Sequence, residues 1–176
     1  YNEVLNMYGL YILMTEDPCV SGVEAHGPVF KLFMDVDMKL PERQAKAIME
    51  DRTALERLLR CIYGAVAEGT KNAAAEMVVC TAEPYELGNG LWKAGLHLHW
   101  PDIVVNTQGA AALCKDFCVP ACQAEFPGIT DWAAAFDESV FGDKKGLRLI
   151  ASTKGGPGSK GTFYVPAFTM VGTVLQ

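Results

Sequence analysis

Asp35 and Asp37 stand two positions apart in the stretch KLFMDVDM (31–38), directly behind the apolar run Leu32–Met34. A run of that kind reads as a buried strand, and successive side chains of a strand alternate faces, so the two carboxylates point the same way with their Cα atoms ~6.5–7 Å apart. Two such charges at ~5 Å in an effective dielectric of ~20 repel by roughly 3 kcal/mol, which a cation or a proton must relieve. Hard divalent ions take oxygen ligands, and a pair of ions can clamp the attacking and leaving oxygens of a phosphoryl transfer. The plain alternative is a solvated strand end, since Met38, Lys39 and Pro41 close the run.

Two further segments carry chemistry. In GLHLHW (95–100), His97 and His99 share one strand face, and they are two of only three histidines in the chain. Neutral histidine ligates zinc and protonated histidine binds phosphate, so the pair fits either role, or a buried histidine pair with no role at all. In DESVFGDKKGLRLIASTK (137–154), Asp137 precedes a short β-type run, with Arg148 and then Lys154 six residues on. Arginine offers phosphate a bidentate fork and lysine a mobile point charge; taken alone, this is an ordinary basic face. The glycine-rich turn KGGPGSKG (154–161) does not fit the frame of a phosphate-binding P-loop.

These residues need a scaffold. Residues 28–38 read as a strand, and a helix is expected from Pro41 to just before Gly69, with Ile48, Leu55, Leu58, Leu59, Ile62 and Val66 on one stripe. Strands are expected over 76–82, over 95–105 with a break at Pro101, over 146–152 and over 162–173. Residues 107–118 read as helix, and 131–141 as helix ending extended. This mixture without regular βαβ alternation predicts an α+β domain on a largely antiparallel sheet.

With 176 residues, half of them hydrophobic, the chain can build one well-buried core, and a single domain over 1–176 is expected. Its longest uncharged run, 161–176, is interrupted by Pro166 and falls short of the ~20 apolar residues of a membrane span. The start at Tyr1, without Met, suggests a module of a longer protein. Six cysteines at this low density argue for reduced thiols and an intracellular setting. The net charge of −6 leaves nucleic-acid binding to a local basic patch, and residues 144–160 hold five basic side chains and no acid.

Taken in order, the three segments resemble the three motifs of the archaeo-eukaryotic primase superfamily, closest to its viral primases and primase-polymerases. The acidic pair ending a strand is Asp35-Val36-Asp37, the small-or-His, any, His motif is His97-Leu98-His99, and the third motif is Asp137, Val140-Phe141, Leu147-Arg148-Leu149 and Lys154. Tyr164-Val165-Pro166 also resembles a tail that follows this strand in viral members, so the likeness covers roughly residues 28–168. The resemblance implies an N-terminal α/β unit packed on an RRM-like antiparallel sheet, with the active site in the cleft between them. It implies that Asp35, Asp37 and Asp137 hold two Mg²⁺ or Mn²⁺ ions, that His99 contacts the triphosphate of the incoming nucleotide, and that Arg148 and Lys154 help neutralise it. The substrates would be NTPs or dNTPs on a single-stranded DNA template. The implied activity is that of a DNA primase or primase-polymerase, fused in many family members to a helicase and serving viral or mobile-element replication within a host cell. The chain departs from the family where His97 replaces the usual small residue, which leaves the role of His97 open.

Rival readings remain at this level. A zinc- or iron-dependent hydrolase would use His97, His99 and an aspartate, but strand-borne histidine pairs of that kind commonly sit in barrels of roughly 250 residues, and Arg148 and Lys154 would have no part. A metal-dependent glycosyltransferase and a degenerate nucleic-acid-binding module are further readings. Cys114, Cys118 and Cys122, spaced by four with Pro120 between, read as buried core thiols ahead of a zinc site completed by Cys80.

Overall fold

The computed structural model describes residues 26–142, 145–148, 164–172 and 174–175. Its centre is an antiparallel sheet in the order β1 (Phe30–Pro41), β4 (Leu91–Val105), β2 (Glu76–Thr81), β5 (Val165–Val171) and β6 (Val174–Leu175), with β3 (Tyr85–Gly88) paired to the start of β4. The helices are α1 (Glu42–Glu50), α2 (Arg52–Thr70), α3 (Thr107–Ala112), α4 (Val119–Glu125) and α5 (Trp132–Ala135). This is the expected α+β class. Among the described residues no helix is long and apolar enough to cross a membrane.

Alternation along β1 and β4 divides the sheet into two faces. Met34, Val36 and Met38 lie opposite Leu98, Leu96 and Ala94, all fully buried in a core shared with Leu55, Leu58, Leu59, Ile62 and Val66 of α2. The intervening residues, Phe33, Asp35, Asp37 and Lys39, lie opposite His99, His97, Gly95 and Lys93 on the other face. Burial of the first set therefore fixes where the second set points.

The expected single helix over 41–69 is two. Asp51 leaves helical geometry (φ −82°, ψ 105°), and its carboxylate caps α2 by accepting from the Thr53 and Ala54 amides. Strand β4 starts earlier than expected, at Leu91. Asn89 and Gly90, with φ of 54° and 74°, make the tight left-handed turn that joins β3 to β4. Pro101 does not break β4; the sheet absorbs it in a register shift opposite Lys31 and Leu32.

The helix expected over 107–118 runs on to Glu125 through a widened π segment at Leu113–Cys118. Pro120 has no N–H to give to a carbonyl one turn back, and the wider turn, in which the Val119 amide donates to the Cys114 carbonyl, accommodates it. Cys114, Cys118 and Cys122 are buried along one stripe, with the Cys122 sulfur 4.0 Å from that of Cys61 on α2. Burial raises the pKa of the Cys114 and Cys118 thiols, which suits apolar packing. Cys80 lies on a different element, β2, opposite His97. Residues 138–141 form a 3₁₀ turn, where an extended end was expected, because the Asp137 carboxylate caps them. The strand expected over 146–152 is described only to Arg148, and residues 149–163 lie outside the described residues.

The hydroxyl of Tyr63 ties α2 to the sheet. It lies 2.9 Å from the Ala75 carbonyl and 2.8 Å from that of Ala73, and it accepts from the Gly172 amide at 2.9 Å. Tyr63→Phe leaves these buried groups short of a partner, so the urea midpoint should fall by the equivalent of about 1–3 kcal/mol.

Candidate active site

The site forms on the outer face of β1 and β4, with a third segment docked against the free edge of β1. Asp35 lies opposite His97, Phe33 opposite His99 and Asp37 opposite Gly95. The third acid arrives through main-chain pairing. Phe136 bridges to Val36, and the Asp137 amide donates to the Asp35 carbonyl at 3.0 Å. The Asp137 carboxylate accepts from the Ser139 amide at 2.9 Å. Two sequence motifs about a hundred residues apart thus meet at one edge.

The electrostatics reflect that convergence. Burial, and then the charge of Asp37, push the Asp35 carboxyl up to about 7, with Asp137 adding to the rise and Lys93 and Arg148 opposing it. One carboxylate oxygen of Asp35 and one of Asp37 are buried without a hydrogen-bond partner. The other oxygen of Asp37 meets the Lys93 ammonium at 2.5 Å. Such orphaned acidic oxygens are costly to keep dry, and they fit a hard cation. Among the described residues no three His, Cys, Asp or Glu side chains gather tightly enough to close a metal site, and the Asp137 carboxylate is engaged at its cap.

The two histidines differ in their surroundings. Burial, with the nearby charges of His99, Arg148 and Lys93, holds His97 down at about 3, so it is neutral at ordinary pH. Its Nε2 lies 3.6 Å from an Asp35 oxygen, and its ring stacks on Tyr164 with centroids 3.4 Å apart. The Arg148 guanidinium lies 5.6 Å from the centre of the same tyrosine ring. Burial also lowers the pKa of His99, whose Nε2 has no hydrogen-bond partner. Beside it opens a cavity of about 380 Å³ walled by His26, Phe30, Phe33 and His99.

Asp35, Asp37, Asp137, His97 and His99 are therefore brought together, and Arg148 joins them through Tyr164. Lys154 lies outside the described residues. Sequence reading passed over Lys93 and Gly95, although the alternation K-x-G-x-H-x-H (93–99) places all four on one face.

A scan against protein-family models matches residues 1–167 to the C962R protein N-terminal AEP domain. The chain belongs to this family, and so to the archaeo-eukaryotic primase superfamily, of the viral primase type. Comparison with curated proteins gave no match. Membership gives this AEP domain a function of the primase or nucleotidyltransferase kind, with nucleotide and DNA substrates. The segments whose sequence resembles the three motifs of that superfamily meet on the sheet: the acidic pair on β1, the histidine pair on β4 and the acid docked at the β1 edge.

Proposed function

We propose that the domain is a template-directed DNA primase or primase-polymerase that joins nucleotides on single-stranded DNA by two-metal phosphoryl transfer. The observation that carries this reading is the pair of buried, unpartnered carboxylate oxygens of Asp35 and Asp37, with Asp137 bonded to the Asp35 main chain. Asp35 and Asp37 would hold Mg²⁺ or Mn²⁺, and Asp137 would join by turning its carboxylate away from its cap. When bound, the ions would neutralise charge on the phosphoryl group and on the attacking and leaving oxygens.

The remaining residues bind and orient. Neutral His99 offers an N–H to a phosphate oxygen of the incoming nucleotide. Arg148 brings a guanidinium fork, steadied on the face of Tyr164. His97, covered by Tyr164, serves as a positioning residue between that ring and Asp35. Lys154 would add a second cation to the triphosphate. We place the domain within a host cell at the replication site of a virus or mobile element, in a longer chain that includes a helicase.

The test is incorporation of labelled NTPs and dNTPs on a single-stranded DNA template with Mg²⁺ or Mn²⁺. Oligonucleotide product is expected with metal and absent in EDTA. A domain that makes no product under any metal, nucleotide and template condition overturns the reading.

A further inference from the structure

Lys93, on the face of the acidic pair, already does the work of a cation. It stands on β4 between Lys39 of β1 and Tyr85 of β3, its cross-strand neighbours, two residues before Gly95. Gly95 has no side chain to screen it, so its ammonium reaches diagonally to Asp37 Oδ2 at 2.5 Å. The two side chains are only 15% and 19% exposed. This is not a solvated surface pair: the ammonium is set into the site, while the second Asp37 oxygen is buried without a partner. Lys39, directly across the ladder, is exposed.

We infer that Lys93 is an internal counter-cation that occupies Asp37 in the metal-free domain and gives way when a divalent ion loads. The inference rests on the reading of Asp35 and Asp37 as metal ligands. A divalent ion held by Asp37 places like charges within a few ångströms of the ammonium, so one must yield. The ammonium sits on a flexible four-carbon stem and swings outward. Its new partner is an anion, and the anion delivered to this face is the polyphosphate of a nucleotide. Free metal is thereby bound weakly, and a metal–polyphosphate complex is bound well. The domain loads metal together with its substrate.

The two affinities must therefore move in opposite directions when the charge is removed. In the full chain, Lys93→Met should bind free Mn²⁺ about tenfold more tightly than wild type, inside the roughly 5–150-fold range of site-to-site couplings, and should bind preformed Mn²⁺–triphosphate more weakly. Electron paramagnetic resonance reads the free metal, and calorimetry reads the complex. Lys93→Arg, which keeps the charge, should stay near wild type for both. Any pattern in Lys93→Met other than opposite shifts overturns the counter-cation role; a merely structural pair would leave both affinities unchanged or weaken both. The Asp35→Asn, Asp37→Asn double variant separates the two levels. Mn²⁺ bound by wild type and lost in that variant upholds the metal site whatever Lys93 does, whereas Mn²⁺ bound by neither wild type nor Lys93→Met overturns both readings.

Discussion

Asp35→Asn should cut nucleotide incorporation at least ~10³-fold and, at the same time, make the metal-free domain more stable above pH 7. The two effects share one cause. Asparagine keeps the shape of the side chain but removes the anion that would hold metal, and several kcal/mol of transition-state stabilisation corresponds to about three decades in rate. That same anion is a burden without metal, because burial and the Asp37 charge raise the carboxyl from 3.8 to about 7. A carboxyl with a raised folded-state pKa binds protons more readily folded than unfolded. Its penalty is absent below the unfolded value near 4, grows as pH rises, and is complete above about 7. In EDTA the melting temperature of Asp35→Asn should accordingly match wild type at pH 4 and exceed it at pH 8, by the equivalent of on the order of 2–4 kcal/mol. Wild-type metal affinity should fall as pH drops below 7, where protons compete for Asp35. Asp37→Asn is a contrasting control, because it strands the Lys93 ammonium and should lower stability. Incorporation that persists in Asp35→Asn would show that Asp35 does not hold the metal.

The second large effect belongs to Gly95. A methyl group built there overlaps the Tyr164 hydroxyl and comes within 3.3 Å of Asp37 Oδ1. Tyr164 cannot step aside freely, since its ring stacks on His97 and lies beside the Arg148 guanidinium. Gly95→Ala should therefore displace the tyrosine, and with it the arginine, at a cost of about 1–3 kcal/mol in stability. Misplacement of a positioning group by about 1 Å commonly costs on the order of 10² in rate, so incorporation should fall by that amount. The overlap is mainly with the hydroxyl, and Tyr164→Phe should then restore much of the activity in the Gly95→Ala background. If Gly95→Ala is as active as wild type, Tyr164 does not position Arg148.

How much of this could be read from residues alone depends on the range of the interaction. The shared faces of Asp35 with Asp37, and of His97 with His99, follow from strand alternation, a local property. The pairing of Asp35 with His97 does not, because the register is set by partners some sixty residues apart. The same holds for Lys93: its face is local, but its reach to Asp37 requires both the register and the open space at Gly95. Two local signals were present and undervalued. Asp51 ahead of Thr53 and Leu55 is a helix-capping residue, and Asn89-Gly90 is a strong hairpin signal. The bend at Pro101 was overvalued, since a long sheet can pass over a proline through a register shift. Asp137 stood out for its motif, yet its docking by main-chain pairing at the β1 edge has no side-chain signature to read.

The interleaving on β1 and β4 constrains how this protein can change over generations. Val36 separates the two aspartates and Leu98 the two histidines, and both are fully buried. One residue gained or lost within 33–37 or 93–99 would turn acids and imidazoles into the apolar interior and expose methionines and leucines in their place. Substitution can tune this chemistry, but length variation within these two segments cannot, whereas the Asn89-Gly90 turn and the segment between α4 and α5 lie outside that restriction. Lineages descended from such a domain should diverge by altering loops around two strands of invariant length.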